Sequence, residues 1–149
     1  MEIDLKQRYQ TMLTLWFALL ASVGMYFVFL TIVRPQLTNA SGTPGSSLPI
    51  VLFTANAMVM VLLSFVVKAK LLAQSVEKHD VLLVQKAMVL ACAMCEVSAI
   101  LGVVARFAFN AGRESIWLLL LGAAGMALHF PRRSQLDAAS FKGEDLWKS

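Results

Sequence analysis

Polar and charged residues in this chain crowd into short segments, and between them lie four long apolar runs: Thr11 to Val33, Ile50 to Val67, Val81 to Ala105 and Ile116 to Phe130. Each reads as a helix crossing a bilayer, because a hydrocarbon layer of about 30 Å takes about 20 apolar residues at about 1.5 Å of rise each. The fourth run has 15 residues. It therefore extends into Glu114 and Ser115, thins the bilayer or shelters against its neighbours, with a half-inserted hairpin as the alternative. The expected fold is all-α, an integral membrane four-helix bundle with spans at about 11–33, 50–67, 81–105 and 115–130.

The connections differ in kind. Arg34 to Pro49 holds three prolines and two glycines and has no helical period, so an exposed irregular loop is expected. Lys68 to Asp80 is rich in helix formers and lacks Gly and Pro, so it extends both flanking helices and makes spans two and three an antiparallel hairpin. After Phe130, Pro131-Arg132-Arg133 stops the fourth span. The remainder to Ser149 reads as a polar cytoplasmic tail, frayed or forming a short interfacial helix that docks Phe141 and Trp147. The chain thus divides into a transmembrane domain over 1–130 and a tail over 131–149. The apolar run that starts at Thr11 is too long for a signal-peptide core, so it is expected to stay as an anchor.

Composition agrees with this reading. Of 149 residues, 58% are apolar and 15% charged, against about 45–50% and 25% in soluble domains. Disorder, a disulfide scaffold and a soluble enzyme are excluded together. The net charge is +4, but the side on which the cations fall is more telling. Lys6, Arg8, Lys68, Lys70, Lys78, Lys86, Arg132, Arg133, Lys142 and Lys148 fall on one side, against Arg34, Arg106 and Arg113 on the other. Both termini are therefore expected in the cytoplasm, with the protein in an inner (cytoplasmic) membrane of bacterial type. No basic run with interleaved aromatics suits a nucleic acid. Trp16, Tyr26, Trp117, Arg132 and Arg133 lie near span ends and read as interfacial anchors.

Glu96 is the most informative residue. It lies 15 residues beyond Val81, about 22 Å along the third span and past the midplane. A carboxylate at that depth meets water only if protein supplies a cavity, and is a functional candidate by default. Its own helix offers no ion-pair partner. Asn56 on the second span, at a comparable depth, is the first candidate to hydrogen-bond it, and Ser22 on the first span the second. The two readings are an ion- or proton-binding site formed by Glu96 with Asn56, and an interhelical hydrogen bond that only fixes packing.

Beside Glu96 runs a row of small residues, Ala87, Ala91, Cys95, Ser98, Gly102 and Ala105, spaced to share one helix face. Ala91, Cys95, Ser98 and Gly102 at its centre are expected to let another backbone approach closely. The candidate partners are Gly122 and Gly125 with Ala127 on span four, Ala18, Ala21 and Ser22 on span one, or the same stripe on a second copy. Cys92-Ala-Met-Cys95 matches redox spacing, but thiolates need cations, helix N-termini or water, so both cysteines read as packing groups. With Glu96 they would still lack a fourth metal ligand, and His79 and His129 offer no pair at opposing depths for a haem. No cofactor and no metal are expected. Asn39-Ala40-Ser41 is a formal glycosylation sequon.

The stretch Ala93-Met-Cys-Glu96-Val-Ser-Ala-Ile-Leu-Gly-Val-Val104 resembles the carboxylate helix of the proteolipid c subunit of rotary ATPases. In that family the carboxylate carries a proton or sodium ion around a ring, so the resemblance implies that role for Glu96. It covers a dozen residues. Span two contains no glycine, unlike the family's partner helix, and Glu96 lies on the third helix rather than the last.

With no nucleophile and base pair and no cofactor motif, the chain is not expected to be an enzyme. The expected function is that of a non-catalytic subunit or assembly partner in a larger membrane complex. Its partners would be the bilayer and other membrane subunits or a second copy. The alternative is a proton- or cation-translocating protein that uses Glu96.

Overall fold

The computed structural model describes residues 2–33, 48–109 and 111–140, with side chains from Leu5 onward, and every described element is helical. The helices are α1 (Glu2–Ile32), α2 (Leu48–Glu77), α3 (Val81–Phe109), α4 (Gly112–Leu128) and α5 (Arg133–Ser140). Three are long and apolar enough to cross a membrane, within Leu5–Ile32, Leu48–Glu77 and Val81–Phe109. At 17 residues, α4 rises about 25 Å, short of a bilayer core. With α5, set at 47° to it across the break at Pro131, it becomes long enough for a fourth span. Proline causes that break, since its ring clashes with the preceding turn and it lacks an N–H.

Three boundaries differ from the sequence expectation. The helix of the first span starts at Glu2, well before the apolar run. The expected loop 34–49 ends early because Leu48 and Pro49 are already helical, and a proline fits the first turn, whose N–H groups have no intrahelical acceptor. The expected tail opens with α5, which buries Leu136 and Ala139 in the core. Residues 34–47, which include the Asn39 sequon, and 141–149, which include Phe141 and Trp147, lie outside the described residues.

As the helix-forming sequence of Lys68 to Glu77 requires, α2 runs unbroken to Glu77, and its end is closed by backbone geometry. His79 adopts φ 50°, while Asp80 N–H donates to Ser75 O (3.0 Å) and His79 N–H to Val76 O (3.3 Å). That pair of bonds is a Schellman closure, here with histidine in the left-handed position usually given to glycine. Asp80 then caps α3, its Oδ1 accepting from Leu82 N–H at 2.8 Å.

The helices alternate in direction. Tyr9 of α1 lies under Arg133 of α5, and at the other end Phe29 of α1 meets Phe107 of α3 and Phe53 of α2 meets Phe109. Lys68 of α2 lies toward the first of these ends and Arg106 of α3 toward the second. At the centre stands α3, with Ala87, Ala91, Cys95, Ser98, Gly102 and Ala105 all buried. In lipid the hydrophobic effect does not hold helices together, so close packing and interhelical hydrogen bonds must do so. A Cβ added at Gly122 of α4 would stand 2.8 Å from Cys95 O, and one at Gly102 of α3 would stand 2.8 Å from Ser115 O. The two backbones touch at both places, and Ser98 Oγ adds a hydrogen bond to Leu118 O at 3.0 Å.

Candidate functional site

The small stripe turns α3 so that Glu96, one position past Cys95, points off the α3/α4 contact toward α1. There it meets Ser22 and Tyr26, one helical turn apart. Ser22 Oγ lies 2.7 Å from Glu96 Oε1 and also 2.7 Å from Leu19 O. The Tyr26 hydroxyl donates to the same Oε1 at 3.2 Å. Serine has a single proton to give. When Glu96 is protonated, it donates to Ser22 Oγ while Ser22 donates to Leu19 O. When Glu96 is ionised, the Ser22 proton turns to Oε1 and joins that of Tyr26. The Ser22 hydroxyl thus has two acceptors within reach, Leu19 O and Glu96 Oε1.

Asn56, the first candidate partner, is exposed on the outer face of α2, and no hydrogen bond links it to Glu96. Inward at that level is its neighbour Ala57, fully buried. The depth of Asn56 along the axis made it a candidate; its direction around the axis removes it, since one residue turns the helix surface by about 100°. The role falls to Ser22, the second candidate, together with Tyr26, which had been assigned to the interface.

Trp16 is a second correction. It is buried at 7% exposure, and its indole Nε1–H donates to Met126 O at 3.0 Å, with the Phe130 ring set edge-on against it. It is an internal clamp, not an outward anchor. Trp117 is 63% exposed, as an anchor requires. Arg132 and Arg133 are exposed, with the Arg133 guanidinium 4.8 Å over the Tyr9 ring.

The Lys68 end holds a polar cluster that sequence reading missed. Ser64 and Lys68 share one face of α2, and both are buried against the end of α4. Ser64 Oγ lies 2.8 Å from His129 Nε2 and 2.6 Å from Val61 O. Lys68 Nζ donates to His129 O at 3.3 Å. Phe65 covers the imidazole, ring centroids 4.4 Å apart. The last carbonyls of a helix lack intrahelical donors. Here the chain's own backbone closes the last turn of α4, His129 N–H on Met126 O and Phe130 N–H on Ala127 O, while Trp16 from α1 adds a second donor to Met126 O and Lys68 from α2 takes His129 O. The spacing of Ser64 and Lys68 was a visible signal; their meeting with His129, 61 residues beyond Lys68, was not.

Cys92 and Cys95 are free and buried, and Cys95 Sγ lies 3.6 Å from Ser64 Oγ. Among the described residues no group of three or more His, Cys, Asp or Glu is placed to hold a metal ion. Glu96 with Ser22 and Tyr26 is therefore the clearest polar arrangement between the long helices, a carboxyl on α3 held by two hydroxyls of α1. Compared with known proteins, the chain matches no family model, no curated protein and no solved structure.

Proposed function

We propose that this protein is a non-catalytic subunit or assembly partner of a larger membrane complex, with both termini in the cytoplasm of a bacterial-type inner membrane. The unequal packing of its long helices carries the reading. In their most apolar 18-residue stretches α3 is 44% buried, whereas α2 is 17% and α1 11% buried. The buried core side chains of α1 are Met12, Trp16, Val23 and Leu30, a narrow seam rather than the broad stripe of a packed helix. Outside the seam, Phe17, Met25, Val28 and Ile32 are exposed. A 31-residue helix held by one seam, with phenylalanine and methionine on its free side, has the composition of a surface made for other helices as well as lipid. The orientation rests on the cation count alone.

The test is to extract the full chain in mild detergent by a tag on its C-terminal tail and identify what accompanies it in stoichiometric amount. A defined heterologous membrane partner, lost on Met25→Ala with Ile32→Ala, is the expected result. A homo-oligomer alone overturns the reading.

The second reading, proton or cation translocation at Glu96, is favoured by the Ser22 and Tyr26 geometry. A protonated Glu and a Gln donate and accept alike, so Glu96→Gln is expected to assemble normally. If ion flux in proteoliposomes then stops, this second reading replaces the first. If the wild type carries no flux, Glu96 serves packing.

A further inference from the structure

The narrow seam of α1 leaves a groove between α1 and α4. An apolar section of about 350 Å³ is walled by Leu20, Gly24 and Phe27 on one side and Leu119, Leu120 and Ala123 on the other. A second section of about 210 Å³ shares Phe27 and Leu119 with it and continues toward the Arg106 end, where Thr31, Arg106, Gly112 and Ser115 form its mouth. From Leu20 to Thr31 the groove runs about 16 Å along α1, the depth of one leaflet's hydrocarbon.

Among the described residues that line it, Arg106 is the only charged one. The guanidinium is half-buried and rests against Gly112, where a Cβ would overlap it. Among the described residues nothing pairs with it: no carboxylate, hydroxyl or carbonyl takes its donors. The exposed neighbours Arg113 and Glu114 do not line the groove. A guanidinium left without an acceptor beside hydrocarbon is costly, and its planar fork suits phosphate oxygens. The first turn of α4 adds its own positive end there, since Ala111 provides no side-chain cap.

We propose that the α1/α4 groove binds one anionic phospholipid of the surrounding leaflet, its phosphate on Arg106 at the mouth and an acyl chain along Phe27, Gly24 and Ala123. The charge selects the occupant. A zwitterionic lipid would bring its own cation to Arg106, and an apolar helix would leave the guanidinium unpaired. The proposal is independent of the subunit reading.

Delipidated full-length protein in mild detergent, given equimolar phosphatidylglycerol and phosphatidylcholine of identical chains, is analysed by native mass spectrometry. One phosphatidylglycerol per chain is expected, with about tenfold preference, or about 1.4 kcal/mol. Arg106→Gln should equalise the two lipids. Gly112→Ala, which pushes the guanidinium aside without changing charge, should weaken the preference. Gly24→Leu should empty the groove of both; no atom lies within 4 Å of a Cβ built there, so the side chain enters open space. Should that variant fail to fold, Leu120→Trp fills the groove from α4, where Leu120 is half exposed. Equal retention by the wild type, a preference surviving Arg106→Gln, or occupancy surviving the groove-filling variant overturns the proposal. So does equal competition by glycerol phosphate, which means an anion site without a lipid, or a dimer abolished by Gly24→Leu, which means that a second copy fills the groove.

Discussion

At the scale of single residues, the five glycines with a described environment divide by what stands against them. Gly122 and Gly24 make the contrast: a Cβ on Gly122 meets the Cys95 carbonyl at 2.8 Å, while one on Gly24 meets nothing within 4 Å. The first obstacle is helix backbone, which yields only if α3 and α4 separate. Gly122→Ala is therefore expected to destabilise the protein by about 1–3 kcal/mol through overpacking. Gly24→Ala gains helix propensity and costs no packing, so it should be neutral or stabilising by up to about 1 kcal/mol. An SDS unfolding titration of the two variants reads both values, and equal losses would refute the account of the α3/α4 contact. Glu96 illustrates a different dependence. Its environment comes from Ser22 and Tyr26, 74 and 70 residues away in sequence. Each bond, by the usual measure of such contacts inside membranes, contributes about 0.6 kcal/mol. Their number matters less than their common acceptor, because two hydroxyls one helical turn apart on α1 converge on a single oxygen and so fix where α1 lies against α3.

At the scale of elements, α4 is the piece that most needs its neighbours. It is short for a span, and its end takes donors from two other helices, Trp16 on Met126 O and Lys68 on His129 O. Trp16→Phe removes one donor and leaves the ring's bulk largely in place, so a loss of about 0.5–1.5 kcal/mol is expected. Trp117→Phe, at an exposed position, should stay within about 0.5 kcal/mol of wild type. Melting temperatures in one detergent distinguish a clamp from an anchor; equal shifts would return Trp16 to the interface. The same contrast explains what was legible in the sequence. Run length and absence of charge located the long helices, and the spacing of Ala91, Cys95, Ser98 and Gly102 identified the close-packed face, because both depend on one segment alone. Asn56 was misread since depth along a helix says nothing of its rotation, which the burial of Ala57 decides. Trp16 was misread for the same reason. The joining of Ser64, Lys68 and His129, and the docking of α5 through Leu136, depend on how separate segments meet, and no local pattern records that.

At the scale of the whole molecule, the packing divides into two parts. The helices α2, α3 and α4 share Cys95 at their centre: its Sγ lies beside Ser64 of α2 and against the position a Cβ would take on Gly125 of α4. None of these contacts involves α1, which meets the rest through its seam, the Glu96 hydroxyl bonds and the ring contacts of Tyr9 and Phe29 at its two ends. Lipid or detergent replaces lost apolar contacts at little cost, so removing α1 should not unravel the remainder. We therefore expect the chain from Leu48 onward, expressed without α1, to insert and keep its α2/α3/α4 packing. In a Cys92→Ala background the remaining thiol, fully buried in the intact protein, reports this directly: a maleimide should label Cys95 slowly in mild detergent and rapidly after SDS. A separately expressed α1 should then rejoin the fragment, and its retention should fall on Trp16→Phe or Ser22→Ala, which cut the Met126 and Glu96 contacts. Rapid labelling of Cys95 before SDS would mean that α1 is part of the folding unit. Slow labelling, with α1 rejoining through those two contacts, would make it a detachable helix, able to exchange its hold on Glu96 and on the groove beside it without disturbing the core.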